Sequence, residues 1–377
     1  MGKWKEVELK EVIEVINGRA YKKAELLENG KYPVLRVGNL FTNDSWYYSD
    51  LELKEDKYCD YGDLIYAWSA SFGPRIWNGK RVIYHYHIWK MICDEKVLNK
   101  QFAFQFLDWD KDLMKQEHSR GVGMFHLTKT AIENRKFLLP PLKEQKQIVA
   151  KLDGLFEKID QALSLLEENI KHTQTLMGSV LDEEFGKLEK KYDTKPLAKI
   201  VKVINGRAYK KQEMLDSGKY PILRVGNFFS NRGWYYSNME LNEDKYCVKG
   251  DLLYAWSASF GPKIWDGEKS IYHYHIWKLV PLNSVVSRKY LYYLLERDTE
   301  KIKEEGGRGV GMIHITKGGI EKRMMVLPPL DIQNKLVEFL EDSYSINNKL
   351  LKSQTQKLNY LKALKNSLLD QAFKGEL

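Results

Sequence analysis

Ile16-Asn17-Gly18-Arg19-Ala20-Tyr21-Lys22-Lys23 returns 188 positions later as Ile204-Asn205-Gly206-Arg207-Ala208-Tyr209-Lys210-Lys211, and the offset then holds without a gap to residue 377. Two such units fill the chain. A protein with two similar modules engages a ligand that also presents its features twice, and duplex DNA, with a dyad in its backbone, is the foremost example.

Net charge is +9 and 12% of residues are aromatic, so cations are mixed with stacking rings, as suits a polyanion. Three widely spaced cysteines, Cys59, Cys93 and Cys247, argue against a disulfide framework or a zinc ribbon, and a reducing, cytoplasmic setting is expected. No apolar run follows Met1-Gly2-Lys3-Trp4-Lys5, and nowhere do 18 consecutive apolar residues occur. Neither export nor a membrane partner is expected.

Within each half, a region of about 140 residues is rich in Tyr, Trp, Val and Gly, with short apolar runs cut by turn signals. Tyr32 to Val37, Asp63 to Trp68 and Val82 to Trp89 read as strands, because β-branched and aromatic residues dominate them. Leu98 to Lys115 reads as helix, with Phe102, Phe106, Leu107 and Leu113 on one face. The texture changes at Leu139-Pro140-Pro141-Leu142. The prolines pre-set a helix start, and Glu144 falls in its first turn, where the macrodipole favours an anion.

From Glu144 to Asp182 apolar residues recur at 148, 152, 155, 159, 162 and 166, with Val149, Phe156, Leu163, Ile170 and Met177 flanking them every seven. That predicts one amphipathic helix of about 58 Å at 1.5 Å per residue. The second half repeats the pattern after Leu327-Pro328-Pro329-Leu330, and Gly186 and Gly375 mark the expected helix ends. A stripe this wide needs a partner, and the two helices offer each other one as an antiparallel coiled coil. The fold class is therefore α+β, a pseudo-twofold repeat of two globular α/β domains (1–143 and 186–331) and two spacer helices (144–185 and 332–377).

The copies have not diverged evenly. Between 16–91 and 204–279, 55 of 76 positions are identical; between 144–182 and 332–370, 8 of 39 are. The globular identities include many polar and aromatic residues, which core packing alone does not preserve.

The arrangement of globular domain, Leu-Pro-Pro-Leu, Gln145, long helix, and then the same series with Gln333, closing in Ala372-Phe373-Lys374-Gly375-Glu376-Leu377, resembles the specificity subunit of a type I restriction-modification system. Tyr-Pro-Val-Leu-Arg-Val-Gly-Asn (32 to 39), Gly-Asp-Leu-Ile-Tyr-Ala-Trp-Ser (62 to 69) and Gly-Val-Gly-Met-Phe-His-Leu (121 to 127) are similar to that family's target-recognition domains. The resemblance implies that each domain reads half of a split double-stranded DNA target and that the helices set the spacing. It also implies docking of two methyltransferase (modification) subunits, which carry S-adenosylmethionine, and room for restriction subunits. Family members commonly carry two different recognition domains, whereas these nearly coincide. Antiparallel helices would relate them by a pseudo-twofold axis, so the expected target is an interrupted palindrome spanning at most roughly 17 base pairs between heads.

Candidate DNA contacts come in pairs. Arg19, Lys22 and Lys23, with Arg207, Lys210 and Lys211, suit phosphates, and the Arg19 fork matches a guanine edge. Trp46 and Tyr47, with Trp234 and Tyr235, follow a polar loop. Ser69, Ser71 and Arg75, with Ser257, Ser259 and Lys263, form a small-residue loop that lets backbone approach DNA. His85 and His87, with His273 and His275, alternate with tyrosines on one expected strand face, without the further ligands a metal needs. Arg120 and Arg308 belong to a glycine-rich connector that lacks the Gly-Lys-Ser/Thr ending of a phosphate loop.

No Asn-Pro-Pro-Tyr, nucleoside-triphosphate loop or His-Glu-x-x-His motif occurs, so catalysis by this chain is not expected and no cofactor is assigned to it. The competing reading is a coiled-coil adaptor that bridges two protein partners. It differs in requiring exposed apolar surface on both globular domains and no sensitivity to loss of Arg19 and Arg207.

Overall fold

The computed structural model describes residues 4–42, 44–69, 71–118, 127–230, 233–257, 261–282, 284–306 and 315–377. Its compact units are interleaved in sequence: Met1–Glu167 with Gln356–Leu377, and Glu168–Thr355. Each unit therefore takes a globular head and a stretch of both long helices, where the sequence suggested heads and spacers in series.

In the first unit, one antiparallel sheet runs in the order Ile13–Asn17, Ile88–Cys93, Leu64–Ala67, Gly73–Ile76. A second runs Tyr47–Ser49, Tyr32–Leu35, Val82–Tyr84, Tyr58–Cys59, with its middle pair parallel. Lys5–Glu8 pairs with Lys136–Leu139 and ties the start of the head to its end. Leu64-Ile65-Tyr66-Ala67 is buried throughout. Because alternate residues of a strand face opposite ways, Leu64 and Tyr66 join one core while Ile65 and Ala67 join another. The second unit repeats the design, with Leu252 and Tyr254 facing one core and Leu253 and Ala255 the other. The α+β class stands.

The expected strand from Val82 to Trp89 is instead two strands joined by a turn. His85 N–H donates to the Leu35 carbonyl at 2.9 Å, and Ile88 N–H donates back to the His85 carbonyl at 2.9 Å, reversing the chain through His85-Tyr86-His87. The two histidines thus do not share a strand face. Gly18 makes the turn possible: a Cβ there would lie 2.6 Å from the Tyr84 carbonyl oxygen and inside contact distance of the His85 carbonyl. Gly206 meets His273 in the same way. Close backbone approach, a standing reason for glycine, explains why the repeated motif carries it.

The long helices are Leu142–Glu189, 48 residues, and Leu330–Lys374, 45 residues. The first runs through Gly186, which is not its end. One glycine costs a helix about 1 kcal/mol, and burial of the neighbouring Phe185 exceeds that. Gly375, at φ 76°, does follow the end of the second helix. In the first unit Lys365 reaches Asp160 at 2.7 Å and Lys362 reaches Glu167 at 3.5 Å, so the helix segments run antiparallel. Phe373 then packs on Phe102, Phe106 and Trp109 of the head, with ring centroids 5.3 to 5.6 Å apart. In the second unit Phe185 takes the equivalent place against Tyr290.

The other fastening is a glutamine. Gln145, fully buried one turn into its helix, accepts from Asn99 N–H at 2.7 Å and donates to the carbonyls of Val97 and Pro140 at 2.8 Å each. Gln333 repeats this with Ser287, Val285 and Pro328. Replacing Gln145 by leucine keeps the volume and strands three backbone groups. The expected loss is on the order of 3–5 kcal/mol, read as a lower urea midpoint for the first unit, with Gln333→Leu acting alike on the second.

The turn histidines make stability depend on pH. Burial, reinforced by the neighbouring His87 and Arg36, lowers the His85 pKa to about 4; His273 is lowered equally by burial, His275 and Arg224. Below about pH 6.5 the unfolded chain takes up protons that the folded turn refuses, so the stabilisation is complete above that pH and is lost as pH falls toward 4. Urea midpoints measured across this window should fall more steeply for the wild type than for His85→Gln/His273→Gln.

Candidate nucleic-acid interface

One edge of each head brings Arg19, His85 and His87 together, because three chain segments meet there. Arg19 N–H donates to the Tyr84 carbonyl and Tyr86 N–H donates to the Arg19 carbonyl, each at 3.1 Å, which docks the repeated motif on the His85–His87 turn. Trp68, at the end of Leu64–Ala67, completes the corner. Its N–H donates to the His87 carbonyl at 3.1 Å and its indole Nε1–H to the Tyr86 carbonyl at 2.8 Å.

The rings form a continuous cluster. Trp68 lies 4.9 Å from His87 and 5.9 Å from Tyr86, and Tyr86 lies 3.9 Å from His87 and 4.5 Å from His85, centroid to centroid. Trp256, His273, Tyr274 and His275 repeat it within about 0.1 Å. Tyr86 and Tyr274 remain 40% and 41% exposed, so an aromatic face fixed by backbone bonds is offered to solvent in each head. The His85 and His273 imidazoles, kept neutral by burial, can donate and accept hydrogen bonds there without carrying charge. Among the described residues no group of three or more His, Cys, Asp or Glu is placed to hold a metal ion.

Several candidates are otherwise engaged. Arg19 spends its fork on Glu25, with nitrogen to oxygen distances of 2.9 and 2.8 Å, and Arg207 does the same with Glu213. The guanidinium and the Lys22 N–H bring the Glu25 pKa down to about 2, so this pair persists at any ordinary pH. An Arg19 fork free to read guanine is therefore not what the fold presents. Ser69 and Ser257 are buried, which removes their hydroxyls from the surface. Trp46 and Trp234 are half-buried against Trp77 and Trp265. Ser71 is half-buried too.

Other candidates stay accessible. Lys22, Lys23, Lys210 and Lys211, which close the motif, are exposed. Arg75 is exposed and lies over Phe41 at 4.5 Å, while its counterpart Lys263 is drawn to the Phe228 carbonyl at 3.3 Å. Tyr47 is 39% exposed and Tyr235 half-buried, each beneath an arginine, Arg36 or Arg224. Arg120, Ser259 and Arg308 lie outside the described residues. Sequence reasoning passed over Arg36, Trp68 and Tyr86; their identity between the two copies was the available signal.

Over 404 aligned positions the chain is 24% identical to the type I restriction enzyme MjaVIII specificity subunit of Methanocaldococcus jannaschii, covering 99% of this chain and 93% of that one. Its fold is shared with a chain from a structure that describes complex assembly and conformational transition of the type I R-M system, with a TM-score of 0.79, 21% identity, and coverage of 100% and 99%. It is shared also with the HsdS subunit of Thermoanaerobacter tengcongensis, with a TM-score of 0.65, 20% identity, and coverage of 100% and 98%. The family model described as type I restriction modification DNA specificity domain matches twice, at residues 1–169 and 189–360, and the chain belongs to that family.

Proposed function

We propose that this chain is the DNA-reading, non-catalytic subunit of a type I restriction-modification complex, each head taking one half of a bipartite duplex target. The observation that supports it most is the corner of Arg36, Trp68, His85, Tyr86 and His87, rebuilt with the same residue types as Arg224, Trp256, His273, Tyr274 and His275. Equivalent heads read equivalent half-sites, placed on opposite strands as an interrupted palindrome. The two long helices set the interval between half-sites and receive two methyltransferase subunits. Those partners bring S-adenosylmethionine and the methyl transfer; restriction subunits join through them.

Exposed Lys22 and Lys23, with their copies, supply sequence-independent attraction to phosphates, while the held aromatic faces and uncharged imidazoles meet base edges or sugars. The assembly works in the cytoplasm, where its DNA is.

Mapping modified bases in cells that carry this chain and its methyltransferase tests the reading. The expected pattern is one split motif with identical, inverted half-sites, and the isolated chain should transfer no methyl group. A split motif with unlike half-sites would overturn the palindrome alone; modification without sequence preference would overturn the role itself.

A further inference from the structure

The described arginines differ in what their charge meets. Arg19, Arg81, Arg135, Arg207, Arg297 and Arg323 each face a carboxylate within 3 Å. Among the described residues Arg36, Arg75, Arg224 and Arg288 have no carboxylate at ion-pair distance; Arg75 and Arg288 are exposed to water, whereas Arg36 and Arg224 are half-buried. The Arg36 guanidinium lies 4.4 Å above the Tyr47 ring and that of Arg224 lies 4.5 Å above Tyr235. Their terminal nitrogens donate only to carbonyls, Ser45 at 3.4 Å and Gly233 at 2.8 Å. In both, the Nε–H is buried with no acceptor.

A half-buried cation with no carboxylate beside it and an orphaned N–H is costly, and the charge part of that cost is offset when an anion arrives. Stacking on tyrosine fixes the guanidinium plane in advance, and a planar fork is the donor geometry that phosphate oxygens accept best. Position agrees. Arg36 follows Tyr32–Leu35, whose last carbonyl holds the His85 N–H, so it stands at the C-terminal ends of the parallel pair beside the aromatic corner. Arg224 has the same relation to Leu223 and His273.

We propose that Arg36 and Arg224, each stacked on its tyrosine, grip a backbone phosphodiester of duplex DNA at equivalent places in the two heads. The proposal rests on the DNA-reading role above. It makes these arginines register-setting contacts, distinct from the groups that tell one base from another.

The test uses the full chain in complex with its modification subunits, and two duplexes, one bearing the mapped target and one of shuffled sequence. Binding is followed by fluorescence anisotropy over a salt series. For Arg36→Gln/Arg224→Gln, affinity should fall roughly tenfold or more on both duplexes, and the slope of log K against log salt should become shallower by about 1.8, from about 0.9 per phosphate. Arg36→Lys/Arg224→Lys keeps the charge and loses the planar stack, so the slope should hold while affinity drops. It also serves as the folded control, checked by thermal melting. An unchanged slope in the glutamine variant overturns the proposal. So does lost discrimination between duplexes at constant slope, which would make the arginines base readers, and so does loss of the modification subunits, which would place a partner's carboxylate on them. A wild-type complex that binds neither duplex would instead refute the DNA-reading role.

Discussion

A buried, fully satisfied glutamine in each unit is the constraint on which the rest depends. Gln145 and Gln333 lie where a helix leaves a head, and each binds three backbone groups of the segments it joins. An apolar residue there could fill the space but would leave those groups unpaired; a charged one could not both donate and accept as required. The helix stem is thereby fixed to the head at its start, while the far end of the other helix, through Phe373 or Phe185, is fixed by ring packing. Hydrogen bonds give direction at one attachment and apolar contact gives adhesion at the other. That combination explains why the compact units are interleaved in the sequence.

The motif that opens the repeat has a role that its composition conceals. Asn-Gly-Arg followed by two lysines looks like a basic surface turn. In the fold, Gly18 is where one backbone passes against another, and Arg19 is closed on Glu25 six residues later. Its work is to hold the His85–His87 turn in place, and the turn in turn presents Tyr86. Charge at the head of the motif is thus spent on architecture, and the exposed cations come after it.

How much could be read from sequence follows from how local each cause is. The long helices were legible because their period is carried by every residue of the stripe, and the Leu-Pro-Pro-Leu starts were legible because proline acts on its own neighbours. Tyr84-His85-Tyr86-His87 defeated the same logic. Its alternation is strand-like, but the bonds that bend it come from Leu35 and from the space left by Gly18, more than 45 residues distant. Gly186 misled for a related reason: local propensity favours an ending there, and burial of Phe185 against Tyr290 prevails. The reach of Glu25 to Arg19 has no periodic signature at all.

Identity between the two copies is a weaker guide than it first looks, and the arginines show why. Arg135 with Asp110 recurs as Arg323 with Asp298, and each aspartate is buried enough that losing its arginine would leave an uncompensated carboxylate. Such a pair resists change whether or not it meets a ligand. Arg36 recurs as Arg224 with the opposite character, since its neighbours are a ring and a carbonyl, and its buried N–H lacks an acceptor. Repetition alone cannot separate these cases, because a fold must keep its internal pairs as faithfully as its contacts. What separates them is whether the side chain's electrostatic demand is met inside the head. A residue repeated in both heads with its demand met is explained by stability; one repeated with that demand open requires something outside the chain.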